Sequence, residues 1–159
     1  MATPALSRKN LLQKLWALQP ADRVLLCETA FWLAVAAVAI AILPFERLGR
    51  MAAISPSRRV LVEPKRMKET RRIRWAIMAC GSRMPWRAMC FEQGLAAQFM
   101  LRRRGIPSVL YYGAAPDRDR GVSAHVWVRD RDIDVVGCEI ASQFAVLATF
   151  PAPTREGRS

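Results

Sequence analysis

The chain has one histidine, His125, and four cysteines, Cys27, Cys80, Cys90 and Cys138. That inventory restricts the chemistry its side chains can perform. A cysteine attacks as its thiolate, and a helix N-terminus or a neighbouring imidazole favours that form. Cys90 is placed for both. It follows the loop signals Gly81 and Pro85 and begins a helical run, while His125 lies 35 positions further on in a strand-like stretch. A first-turn cysteine against a strand-borne imidazole lets the ring take and return a proton during acyl transfer. Taken alone, an isolated cysteine among apolar neighbours is more often an inert buried side chain, and a lone strand histidine is more often structural. Only the two together point to catalysis. Cys27 falls in a long apolar run, Cys80 in a turn and Cys138 behind a strand, and all three are assigned to structure. With no C-x-x-C pair and a single imidazole, neither a metal site nor a disulfide framework is expected, and no cofactor is implied.

The elements that must position this pair are legible from periodicity and breakers. Leu11, Leu12, Leu15, Trp16 and Leu18 predict a short first helix ending at Gln19-Pro20. Asp22 is expected to cap a second helix that Pro44 stops near Leu43. Its central part, Thr29 to Leu43, holds fifteen uncharged residues, fewer than the ~18–20 of a spanning helix. Apolar on all sides, it is read as a buried or interfacial helix with more than one face covered. Residues 45–53 continue as a short helix, and Ile54-Ser-Pro-Ser breaks the pattern.

Between Arg58 and Arg74 stand eight basic residues opposed only by Glu63 and Glu69. The plain reading is a solvated helix face; a groove for an acidic or extended peptide is the functional one, with phosphate or lipid binding behind it. The next helix is expected from about Ala88 to Arg104. Arg102, Arg103 and Arg104 suit the negative end of its dipole, and Gly105 suits the left-handed residue that ends it. The period then changes to short branched and aromatic runs at 109–112, 122–128, 133–136 and 144–150, four strands by this reading. Arg129-Asp-Arg-Asp132 is short enough to make the second and third a hairpin, with Asp130 and Asp132 as turn residues. The fold class that follows is α+β, with N-terminal helices and a catalytic helix packed on an antiparallel sheet of about four strands. The organisation is one compact domain, with a helical region at 1–53, a core at 54–151 and a polar tail at 152–159.

With 52% apolar residues among 159, the chain can bury a core, which excludes wholesale disorder. Its net charge of +12 admits anionic partners without choosing among them. The scattered cysteines and the absence of a signal-peptide pattern near the start predict a cytoplasmic location. A rival reading is a non-catalytic basic protein bound to membrane through 29–43 or to nucleic acid through 58–74. The favoured reading has no nucleic-acid partner and does not favour membrane contact.

Read jointly, Cys90-Phe-Glu-Gln-Gly, the following Leu-Arg-Arg-Arg-Gly105-Ile-Pro and then Ala124-His-Val-Trp-Val128 resemble the transglutaminase-like cysteine peptidases of lasso peptide biosynthesis, the B proteins. The resemblance extends upstream to Trp16-Ala-Leu-Gln-Pro-Ala-Asp-Arg and the apolar helix. It implies a papain-like or transglutaminase-like fold and a leader peptidase that cuts one bond of a ribosomally made precursor. Cys90 maps onto the nucleophile and His125 onto the general base and acid. The family's third residue is an Asp that aligns here with Gly137, flanked by Asp134 and Glu139. Either acid could orient the ring, and Glu139, with its longer side chain at the strand end, is preferred to Asp134. Trp127, two residues beyond His125, is expected to share its face as a wall of the site. The amide of Cys90 is the natural first oxyanion donor, with Trp86 and Arg87 as weaker candidates for a second. The implied partners are the precursor leader peptide, an ATP-dependent lasso cyclase and a leader-recognition protein. That module is expected as a separate polypeptide, since little sequence precedes the apolar helix here.

Overall fold

The computed structural model describes residues 16–54, 63–84, 89–119 and 121–152. Most of the first predicted helix, residues 58–62 of the basic segment and the pair Trp86 and Arg87 lie outside those residues. Helix α1 spans Pro20–Ile42, α2 Phe45–Ala53, α3 Lys65–Gly81 and α4 Cys90–Arg103. The strands are β1 Val109–Asp117, β2 Gly121–Asp130, β3 Ile133–Val136 and β4 Ala145–Phe150, with a 3-10 stretch Cys138–Gln143 before β4. They form one four-stranded sheet in the order β3-β2-β1-β4. Neighbours are antiparallel throughout. The architecture is α+β, as the pattern predicts.

Helix α1 starts earlier than its central apolar run suggests. Pro20 takes the first helical position, where its missing N–H costs nothing, and Gln19 precedes it; Asp22 lies in the first turn and makes no cap. Instead its carboxylate accepts from Arg72 Nη2 at 2.8 Å. At 23 residues with a mean hydropathy of 2.2 over its most apolar window, the helix meets the length and composition of a membrane span. It nevertheless buries one stripe, Leu25, Thr29, Leu33, Ala36 and Ala39. Repeats of three and four residues align these on one side. The opposite side carries Val24, Phe31, Val38 and Ile42 exposed. Among the described residues, then, one face of this helix is buried.

Helices α3 and α4 complete the layer over the sheet. Ile73, Ala76 and Ile77 of α3 and all of Gly94 to Leu101 in α4 are buried. The basic stretch of α3 is not simply solvated. Arg66 is buried and ion-paired with Asp130, which is fully buried and also accepts from Thr70 Oγ1 at 2.9 Å. Asp130 is therefore a core anchor between β2 and α3, and its reading as a turn residue fails. A desolvated charge persists only where a partner and hydrogen bonds replace water.

The end of α4 follows its sequence. Gly105 has φ 68°; its N–H donates to Arg102 O at 2.9 Å, and that of Ile106 to Leu101 O at 3.0 Å. This pair of bonds is the Schellman stop. The arginines beside it do more than answer the dipole. Arg102 donates to Met51 O and Ala52 O, tying α2 to α4. Arg104 grips Glu28 through two bonds of 2.9 and 2.7 Å.

Candidate functional site

His125 sits in the middle of β2, opposite Gly113 of β1. Its ring is buried between aromatic neighbours, 5.0 Å from Phe144 and 6.0 Å from Trp127 in a stacked arrangement. Trp127 is backed in turn by Tyr111, nearly parallel at 5.4 Å. His125 Nε2 lies 2.7 Å from Gly137 O. A carbonyl oxygen can only accept, so Nε2 is the nitrogen that carries the proton. In the neutral ring this leaves Nδ1 with the lone pair, the one able to take a proton from a thiol.

The acceptor is placed by a break in the ladder. β3 pairs with β2 only as far as Val136, opposite Val128. Gly137 then turns the chain, at φ 70°, into the 3-10 stretch. A Cβ here would stand 2.4 Å from Val126 O and 3.3 Å from Trp127 Cα. Glycine is thus required twice, for the left-handed backbone and for the close approach to β2. Only with that approach does its carbonyl reach the ring.

Cys90 is the first residue of α4. Met89 N–H donates to Glu92 Oε2 at 2.8 Å, half of a capping box. The Cys90 amide is among those that a helix start leaves without an intrahelical acceptor. One turn on, Gly94 lets the helix settle on the sheet: a Cβ there would lie 2.7 Å from Val126 Cγ1 and 3.5 Å from Leu110 Cδ1. The helix that begins with Cys90 therefore docks on β2 at Val126, the chain neighbour of His125. Strand alternation turns Val126 and Val128 toward α4 and sends His125 and Trp127 out on the other side. From there the imidazole reaches the edge of β2 where β3 has ended. Among the described residues no hydrogen bond joins Cys90 Sγ to the ring. The fold brings the two elements together, and the imidazole meets Gly137 rather than the thiol.

Neither acidic candidate meets the ring. Asp134 pairs with Arg129 at 2.9 Å. Glu139 pairs with Arg74 of α3 at 2.9 Å, and Arg74 also donates to the carbonyls of Asp134 and Val135. The register that would carry Glu139 alongside His125 is lost because pairing stops at Val136. Sequence inspection overlooked Phe144 and the carbonyl of Gly137. A Gly directly after the Ile-Asp-Val-Val run was the available signal for a chain leaving its strand.

The remaining thiols have structural surroundings. Cys138 Sγ lies 3.3 Å from Val128 O, and Cys80 Sγ 3.6 Å from Leu26 O. Burial pushes both thiols above their ordinary range. Cys27 is exposed. Among the described residues no three His, Cys, Asp or Glu side chains converge as a metal site.

A protein-family model described as the transglutaminase-like superfamily matches residues 30–149, from the middle of α1 to β4. The match includes both Cys90 and His125. No curated protein and no solved structure matches the chain.

Proposed function

The chain belongs to the transglutaminase-like superfamily, whose members are generally cysteine-based enzymes, and from that premise we propose that it is a cysteine peptidase that removes the leader from a lasso peptide precursor. The observation that carries this reading is the state of His125: Nε2 is held by Gly137 O at 2.7 Å, which leaves Nδ1 as the nitrogen with the lone pair. Contacts between nucleophile and base are often loose without substrate and tighten when it binds. Catalysis here requires the Cys90 thiol to come within reach of Nδ1.

The steps follow from the groups present. Cys90 Sγ bonds to the scissile carbonyl carbon as its proton passes to His125 Nδ1. The Cys90 amide donates to the oxygen as it becomes negative. Collapse breaks the C–N bond, and the imidazolium gives its proton to the departing amine. Water then attacks the thioester, losing a proton to Nδ1, and the thiol leaves with that proton restored. Gly137 O holds the ring orientation in place of a carboxylate. A neutral carbonyl stabilises the imidazolium less than an anion would, so a slower base step than in a full Cys-His-Asp triad is expected.

In this reading a separate leader-binding protein presents the precursor, an ATP-dependent cyclase consumes the product, and the reaction is cytoplasmic. Mass spectrometry tests it. A lasso peptide precursor, incubated with the protein and a leader-binding partner, should yield two fragments whose masses sum to precursor plus one water. Cys90→Ala should yield none. An intact precursor with the unaltered chain, or cleavage by Cys90→Ala, would overturn the proposal.

A further inference from the structure

Between α1 and α3 runs an open furrow in two stretches that share Trp75. The first, about 540 Å³, is bordered by Lys68, Arg71 and Trp75. The second, about 570 Å³, has an apolar floor that includes Leu26, Ala30, Trp75 and Ala79, and ends at Met84. Its charged wall residues, Arg23 and Arg83, are both cations. Among the described residues Arg23 Nε is buried without an acceptor, its guanidinium lying over the Trp16 ring at 5.3 Å. Among the described residues the Arg83 guanidinium donates to Ala79 O and Ser82 Oγ alone. The ion pairs of α3 engage Arg66, Arg72 and Arg74, leaving Lys68 and Arg71 without one among the described residues. Asp22, the carboxylate on the rim, is taken by Arg72.

A buried guanidinium N–H without an acceptor carries a desolvation cost that a carboxylate would relieve. The apolar floor calls for side chains between such carboxylates. The furrow also leads to the site. Gly81, at the end of α3, packs so closely on α4 that a Cβ would stand 2.9 Å from Gln93 Nε2, which sets the Met84 end beside the turn that begins with Cys90. From Lys68 to Ala79 the helix rises about 16 Å, the length of about five residues of extended chain.

We infer that this furrow holds an extended segment of the substrate peptide in which apolar residues alternate with acidic ones, docked on Arg23, Arg83, Lys68 and Arg71 and leading toward Cys90. The inference rests on the peptidase reading for the direction of the chain. Binding and cleavage are nevertheless separable by experiment.

The test uses the full chain carrying Cys90→Ala, so that no turnover intrudes. Fluorescence anisotropy is read with a labelled twelve-residue peptide alternating Leu and Glu, with its Leu/Gln and Leu/Lys counterparts, and with phosphatidylglycerol vesicles as competitor. The Leu/Glu peptide should bind at least tenfold more tightly than Leu/Gln and lose at least tenfold on Arg23→Gln. Arg83→Glu, at an exposed position, should weaken Leu/Glu and strengthen Leu/Lys while leaving the thermal midpoint unchanged. No binding of Leu/Glu, or binding indifferent to both arginines, overturns the inference. Vesicles that bind through Arg23 and Arg83 while the peptide does not would assign the furrow to an anionic membrane instead. Failure of hydrolysis in the unaltered chain with peptide binding intact would sink the peptidase reading and leave the furrow standing.

Discussion

The helical layer and the His125 corner of the sheet are held by opposite means. In the helical layer charges meet charges: Arg66 with Asp130, Arg72 with Asp22 and Glu69, and Arg104 with Glu28 and Glu69. At the corner the imidazole has two aromatic neighbours and one main-chain carbonyl. Charged pairs at the helices secure how α1, α3 and α4 stack. A neutral acceptor at the corner leaves the ring able to gain and lose a proton without a carboxylate beside it. In the proposed peptidase, stability and reactivity thereby belong to different parts of one small domain, and substitutions can break or sharpen that division.

The largest effect is expected on turnover alone. Cys90→Ala should abolish cleavage and His125→Ala should lower kcat about 10²–10⁴-fold. For Cys90→Ala the thermal midpoint should stay at its original value. Loss of fold in that variant would erase the division.

In the helical layer the order reverses. Asp130→Ala leaves buried Arg66 with Glu63 as its remaining carboxylate and Thr70 without its acceptor, and should cost about 1–3 kcal/mol, read from the denaturant midpoint at constant slope. A midpoint within experimental scatter of the unaltered chain would show that Glu63 alone compensates Arg66.

Gly137→Ala lies where the two regions overlap. Its left-handed φ and the contact with Val126 O should cost about 1–3 kcal/mol, and displacement of the carbonyl should shift the acidic limb of the kcat profile. A merely structural glycine would lower the midpoint without moving that limb.

Arg104→Gln is expected to be milder, about 1 kcal/mol at neutral pH. Its hydrogen bond is the main cause holding the Glu28 carboxyl below the ordinary carboxylate range. A depressed folded value contributes stability above the unfolded pKa and loses it as pH falls through the folded one. Acid unfolding of Arg104→Gln should therefore begin at higher pH, and the two proteins should converge below both values.

The smallest effects belong to the carboxylates that flank the site. Asp134→Asn and Glu139→Gln disturb exposed pairs and should change stability by no more than about 0.5 kcal/mol and kcat by about a factor of two. A tenfold loss in either would identify that acid as the one orienting His125.

Sequence reading succeeded where the cause is local. The stop at Gly105, the four strands, the hairpin and the cysteine at a helix start depend on residues within a few positions of one another. It failed for Asp130, whose partners Arg66 and Thr70 lie 64 and 60 residues away; in a D-R-D cluster an aspartate bound for the core resembles a turn residue. It failed likewise for Glu139, which α3 draws off through Arg74.

By itself, then, the sequence determined the inventory and the local geometry: one imidazole on a strand, one thiol at a helix start, a left-handed glycine at the end of the cysteine-bearing helix. Only the tertiary structure decided which acceptor the imidazole meets. A carbonyl belongs to every residue and leaves no mark in composition, so its selection depends on where β3 stops and how closely Gly137 can approach β2.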